Sequence, residues 1–294
     1  MNYTLIDNSA DLEKHIAAWN VLERIAVDFE CEFNLHIYGE HLCLIQIFDG
    51  SSYYIIDPRS SRISREALCA FFTSPVRKVW FDCQSDNALV YKKYGVSISN
   101  IVDIRVYALS LGFRSNLASL KKEFLSIEEQ NLNPAAKKRL QQTNWVRRPL
   151  SEEQVAYALS DVTHLFALED VLEKRVVEAG VTEECAREMK KAVRAKTGKP
   201  GWVNLGPWRI MTKEQRLNVK QYYIARDNVA RRFNVPSYHV LDKHVLRDFA
   251  MSCPKSEAEV LSMISSKASP RFQSQLRENM LKAFQIIHSS QVSS

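Results

Sequence analysis

"AVDFECEF", residues 26–33, decides how the first half of the chain is read. It lies in an apolar run, "RIAVDFECEF" (24–33), with the length and composition of a strand, yet it carries Asp28, Glu30 and Glu32. Side chains alternate across a strand with a period of two. The three carboxylates therefore share one face, and Val27, Phe29, Cys31 and Phe33 share the other. Such a face is either a half-wet strand surface or the floor of a cation site.

Upstream, "YTLID" (3–7) reads as a strand and "SADLEKHIAAWN" (9–20) as a helix. Downstream, "HLCLIQIFDG" (41–50) and "SSYYIIDP" (51–58) are short β runs parted by the turn signal Asp49-Gly50. Three consecutive β runs with short links predict an antiparallel meander. "SREALCAFFTS" (64–74) predicts a helix, "RKVWFD" (77–82) a short strand, and "SDNALVYKKYG" (85–95) a helix ending at Gly95. From about 103 to 178 the pattern is helical, broken near Pro134 and Pro149. The fold class is α/β, a mixed sheet with helices packed on it. The best-marked helix follows Pro149, where Ser151 is an N-cap and Gln154 completes a capping box. Val155, Leu159, Val162, Phe166 and Leu168 supply its apolar stripe.

A chain of 294 residues exceeds what most single cores hold, so two domains are expected. Residues 195–208, "AKTGKPGWVNLGPW", hold three of the eight glycines and two of the nine prolines and read as a linker. The division is residues 1–178, a basic helical segment and linker over 179–208, and an all-helical domain over 209–294. Residues 1–178 hold 20 Lys and Arg against 24 Asp and Glu, whereas residues 209–294 hold fourteen against seven. A basic back half suits a polyanionic partner, or is simply the solvated surface of a helical domain. The six scattered cysteines form no C-x-x-C pair, which argues against a zinc site or disulfide framework and fits a reducing cytoplasm. No apolar run reaches the ~18 residues of a membrane span. The opening "MNYTLIDNSADLEKHI" has no basic run ahead of a long apolar core, so no signal peptide is expected.

An acidic pair and a tyrosine–acid pair accompany Asp28 and Glu30. Asp82 and Asp86 lie four apart at a strand end and helix start, and Tyr157 and Asp161 lie four apart on one helical face. Each pattern alone is also what a solvated face carries. Together they suit divalent cations, which take oxygen ligands. Two such ions ~3.5–4 Å apart clamp the attacking and leaving oxygens of phosphoryl transfer.

"AVDFECEF", "LCLIQIFDGSSYYIIDP", "FDCQSDNALVYKKYGV" and "NWVRRPLSEEQVAYALSDVTHLFAL", in that order, closely resemble the 3′–5′ exonuclease domain of the ribonuclease D family. This is the tyrosine subclass of the four-carboxylate (DEDD) exonucleases, with a ribonuclease H-like fold, and the resemblance covers residues 2–178. It implies metal ligands at Asp28, Glu30, Asp86 and Asp161, and a tyrosine, Tyr157, that orients or helps activate the attacking water. The cofactors implied are two divalent cations, Mg²⁺ or Mn²⁺. The reaction implied is in-line hydrolysis at an RNA 3′ end, releasing nucleoside 5′-monophosphates, with tRNA precursors as expected substrates. Phe29, where the family often has a small residue, is expected on the opposite strand face. Asp82 is expected either behind the ligands or on the surface, and Glu32 beyond the site, towards solvent or a basic neighbour.

"NPAAKKRLQQTNWVRRPL" (133–150) holds Lys137, Lys138, Arg139, Arg147 and Arg148 and no acid, and is a candidate grip on the substrate strand. Trp145 is expected under the following helix rather than against a base. Residues 209–290, with "FNVPSYHVL" and "CPKSEAEVL", resemble the HRDC domain shared by RecQ-type helicases and ribonuclease D. Arg226, Arg231 and Arg232 are its candidate phosphate contacts, with a plain solvated helix as the alternative. Tyr222, Tyr223 and Phe233 are expected in its core. A monomer is expected, with no membrane contact and no protein partner. The alternatives are a DNA 3′–5′ exonuclease and a catalytically silent RNA-binding module.

Overall fold

The computed structural model describes residues 2–127, 134–195 and 198–292. The chain forms two compact units, Met1–Glu32 with His41–Thr197, and Phe33–Glu40 with Gly198–Ser294.

The first unit is built on a six-stranded sheet. In chain order its elements are β1 (Tyr3–Ile6), α1 (Ser9–Trp19), β2 (Arg24–Phe33), β3 (Glu40–Phe48), β4 (Tyr53–Ile56), α2 (Arg65–Thr73), β5 (Arg77–Trp80), α3 (Gln84–Tyr94) and β6 (Ile101–Asp103). Helices α4 (Ile104–Ser110), α5 (Leu117–Leu125), α6 (Pro134–Gln141), α7 (Glu152–Val162), α8 (Leu165–Glu178) and α9 (Thr182–Ala192) follow. Strand order is β1-β4-β3-β2-β5-β6. The expected β2-β3-β4 run is therefore consecutive in the sheet, and β3 pairs β4 antiparallel with Gln46 opposite Ile55. The Asp49-Gly50 turn links them: Asp49 Oδ1 accepts from the Ser51 and Ser52 amides at 2.9 and 2.8 Å. The other pairings, β1 with β4, β2 with β5 and β5 with β6, are parallel, so the sheet is mixed.

Helices cover both faces. Val27 and Phe29 pack with Leu12, Trp19, Phe71 and Phe72 of α1 and α2. Ala26, of opposite parity, packs with Ile104, Val162, Leu165 and Leu168 of α4, α7 and α8. Further along that face, Leu44 and Ile55 lie with Val155, Ala158 and Leu159 of α7. Lys78 of β5, wholly buried, donates through Nζ to the carbonyls of Ser74, Val76 and Ser99 at 2.7, 3.2 and 3.2 Å, tying the end of α2 to β5 and to the segment before β6.

Two local readings need adjustment. The helix after Pro149 begins as expected, with the Ser151–Gln154 capping box formed, but it is two helices. The Thr163 hydroxyl bonds back to the Leu159 carbonyl at 2.8 Å, and His164 leaves helical geometry with ψ of 13°. Asp161 thereby falls in the last turn of α7. Strand β6 is three residues long and too short to register as a pattern.

The second unit contains α10 (Lys213–Phe233), α11 (Ser237–Val240), α12 (Lys243–Met251), α13 (Glu257–Lys267) and α14 (Gln273–Val292). Val219, Tyr222, Val229, Leu246, Ile264 and Leu276 form its core. Tyr223 packs at the edge of that core, while Phe233 stays 37% exposed, tilted against Phe272. Residues 179–208 divide between the units. Cys185 of α9 packs on Val106 and Val176 in the first, whereas Trp202, Leu205 and Trp208 lie on the core of the second. Gly201 is needed there, because a side chain would collide with the Tyr223 hydroxyl.

Candidate metal and active site

Strand parity carries the first two acids. Asp28 and Glu30 alternate with Val27, Phe29 and Cys31, so they face the helix layer that Ala26 packs against. Helix α7 in that layer brings Asp161. One oxygen from each of Asp28, Glu30 and Asp161 lies within 4.8 Å of the others, and among the described residues these three acids form a group able to hold a metal ion. All three are half-buried. Burial, followed by the Asp161 and Asp86 charges, pushes the Asp28 and Glu30 carboxyls well above the usual range. Like charges gathered out of water are unfavourable unless a cation joins them. An all-carboxylate donor set selects a hard divalent ion over a soft one.

Asp86, at the start of α3, is not in that group. Its Oδ2 accepts from the Trp80 indole N–H at 3.1 Å, and its Oδ1 lies 3.8 Å from the Cys31 thiol. Both partners belong to the core layer on the α1/α2 side of the sheet. Burial raises the Asp86 carboxyl to about 7, against the Trp80 bond, which lowers it. Its charge nevertheless reaches Asp28 and Glu30.

Tyr157 stands one turn before Asp161 on α7. Burial and the charges of Asp161 and Glu30 raise its phenol far above the ordinary value, so it is protonated at neutral pH, and Gln141 hydrogen-bonds it. Its ring lies 6.3 Å from Trp145, which is 2% exposed and packed with Val155 and Leu159, as expected of a ring under the helix.

Several expectations need correction. Glu32 shares the face of Asp28 and Glu30 but is 2% exposed, which removes the solvent alternative and leaves that of a neighbouring partner. Arg226 is buried in α10, donates to the Leu241 carbonyl at 3.3 Å and stacks on Tyr223. It supports the second unit's core and is withdrawn as a phosphate contact. Arg148 is committed internally: its fork grips Asp57 at 2.7 and 2.8 Å and donates to the carbonyls of Cys43, Trp145 and Arg147. Arg139 pairs with Glu153 at 2.6 Å, an exposed pair of the kind that exchanges readily. Lys138 and Arg147 are exposed and Lys137 is half-buried. Arg231 and Arg232 are exposed on the last turn of α10, where Arg231 lies over the Tyr38 ring and Arg232 bonds Gln275. Asp82 pairs with Arg105 and lies outside the group of three acids. Phe29 points away from the acids as expected and meets Trp80 edge-on, with ring centroids 4.6 Å apart. Trp80, Cys31 and Gln141 escaped sequence reading because each touches the acids or Tyr157 through the tertiary fold and matches no local pattern.

The fold and the grouped acids have known counterparts. The chain belongs to the 3′–5′ exonuclease family, whose model matches residues 3–177, and the HRDC domain model matches residues 219–278. The particular protein it resembles is ribonuclease D. It is 26% identical to ribonuclease D of Haemophilus influenzae over 268 residues, which is 87% of this chain and 64% of that protein. It is 28% identical to ribonuclease D of Bartonella henselae over 265 residues, again 87% of this chain and 63% of the relative. The chain thus spans slightly under two thirds of these relatives' length. The crystal structure of Escherichia coli RNase D, described as an exoribonuclease involved in structured RNA processing, superposes with a TM-score of 0.75. That match has 22% identity and covers 99% of this chain and 76% of that one, so the two share a fold.

Proposed function

We propose that this chain is a divalent-metal-dependent 3′–5′ exoribonuclease that removes nucleoside 5′-monophosphates from RNA 3′ ends, with tRNA precursors as substrates in 3′ maturation. The observation that carries the reading is the clustering of Asp28, Glu30 and Asp161 within 4.8 Å, one helical turn from Tyr157. Two ions, Mg²⁺ or Mn²⁺, would be held by these three acids and Asp86, and when bound they supply an activated water and charge stabilisation for the leaving 3′ oxygen.

The chain's own groups define the rest. Asp28 and Glu30 are fixed by a central strand, and Asp161 by a capped helix, so the acidic floor is preorganised. Tyr157, its phenol raised by burial and the neighbouring acids, orients or helps activate the attacking water. Lys137, Lys138, Arg139 and Arg147 of the first unit grip the phosphates of the substrate strand. In the second unit Arg231 and Arg232 are the phosphate contacts. The six free thiols agree with a cytoplasmic setting.

The test uses a 5′-labelled tRNA precursor with a 3′ trailer, and a DNA strand of matched sequence, each with Mg²⁺, Mn²⁺ or EDTA. Shortening of the RNA from its 3′ end, abolished by EDTA, is expected. Faster hydrolysis of the DNA would replace the RNA reading with a DNA exonuclease. Binding of RNA without hydrolysis in either metal would leave a silent binding module.

A further inference from the structure

Asp86 is held by two side chains that the proposed chemistry does not use. Its Oδ2 accepts the indole N–H of Trp80 at 3.1 Å. Its Oδ1 faces the Cys31 thiol at 3.8 Å, a weak donor. Trp80 is wholly buried, and its ring is locked edge-on against Phe29, the residue between Asp28 and Glu30. One packing unit therefore runs from the strand carrying two acids, through Phe29 and Trp80, to the carboxylate of another. An indole N–H is a donor only, so the carboxylate must present an acceptor to it. A carboxylate has about four lone-pair positions. The Trp80 bond uses one and tethers Oδ2, a pivot about which the carboxylate can turn; among the described residues, the thiol is the hydrogen-bonding group at Oδ1.

We propose that Trp80 is a positioning residue for the metal site. Its N–H anchors Oδ2 of Asp86 so that Oδ1 can leave the Cys31 thiol and join Asp28, Glu30 and Asp161 around a divalent cation. This rests on the reading of Asp86 as a ligand. Outer partners that orient ligands commonly change metal affinity by about 10–100-fold when removed.

The test is a double-mutant cycle on Mn²⁺ affinity, read from the electron paramagnetic resonance of free Mn²⁺ in the full-length chain. Trp80→Phe keeps a ring against Phe29 and deletes the N–H. It is expected to weaken Mn²⁺ binding about tenfold, with activity returning as Mn²⁺ is raised. In an Asp86→Asn background the same change is expected to have no further effect. Unaltered Mn²⁺ affinity in Trp80→Phe, or an equal loss in both backgrounds, overturns the proposal. If Asp86→Asn alone binds Mn²⁺ like wild type, the assignment of Asp86 as a ligand fails instead. Should Trp80→Phe not fold, the indole N–H resonances of the five tryptophans give the answer. One signal should move with Mg²⁺ in wild type and stay fixed in Asp86→Asn; a response identical in the two proteins rules the proposal out.

Discussion

Tyr157 stands one helical turn ahead of Asp161 on α7, and burial together with the Asp161 charge keeps its phenol protonated. A protonated phenol can hold a water but cannot take its proton. Tyr157→Phe retains the ring beside Trp145 and deletes only the hydroxyl. We expect kcat on RNA to fall about 10²-fold, with Mn²⁺ affinity and Tm unchanged. A fall in Mn²⁺ affinity would make Tyr157 part of the metal shell, and an unchanged kcat would remove it from the reaction.

The Asp161 charge disfavours ionisation of both Asp28 and Glu30, and the Glu30 charge disfavours that of Asp28. Asp161→Asn keeps the shape of the side chain and removes one of the crowded charges. The expected outcome has two parts: a higher Tm than wild type in EDTA, and a loss of about 10²–10³-fold in turnover with metal present. Asp28→Asn should behave alike. Calorimetry in EDTA and a turnover assay in Mn²⁺ check the two parts separately, and a lower Tm in EDTA would show that the acids do not repel in the folded state.

Much of this was legible in the sequence, for a local reason. The period-two alternation of residues 24–33 assigns β2 and its faces, and the Ser151–Gln154 box marks the start of α7, because both signals lie within a few neighbouring residues. What escaped depends on contacts distant in sequence. The Cys31 thiol meets Asp86 across 55 positions, and Arg148 meets Asp57 across 91, so neither partner could be read locally. Arg226 reads as exposed because a charged residue on a basic helix usually is, whereas it lies on the buried face of α10. The break at Thr163 was missed because a hydroxyl returning to its own helix resembles any other helical threonine.

The raised carboxyl of Asp86 makes the metal-free protein sensitive to pH. In the fold it titrates at about 7, against 3.8 for an unperturbed group. Between those values the folded chain binds more protons than the unfolded chain, so stability falls as pH rises through the window. The raised Asp28 and Glu30 carboxyls act in the same direction. Cations bind the ionised acids and oppose the fall. We expect Tm in EDTA to drop between about pH 4 and 7 on account of these groups. Mg²⁺ or Mn²⁺ should restore it strongly at pH 7.5 and little at pH 5. In Asp86→Asn the fall in EDTA should be shallower, and an identical slope would contradict the assignment.

Arg148 and its neighbours Arg147 and Lys138 should separate stability from substrate binding. The Arg148 fork makes two bonds to Asp57 and three to backbone carbonyls, joining the middle of β3 and the end of β4 to the segment entering α7. Arg148→Ala removes all five bonds, with Asp57 Oδ1 keeping only the Arg59 amide among the described residues, and a loss of about 2–3 kcal/mol is expected on urea unfolding. Arg147 and Lys138 are exposed, so Arg147→Ala and Lys138→Ala should unfold like wild type. Each should instead weaken RNA binding and lower the slope of log K against log salt by about 0.7, the increment for one contact to a single strand. An RNA salt slope unchanged in both variants would move the substrate path away from α6 and the turn that follows it.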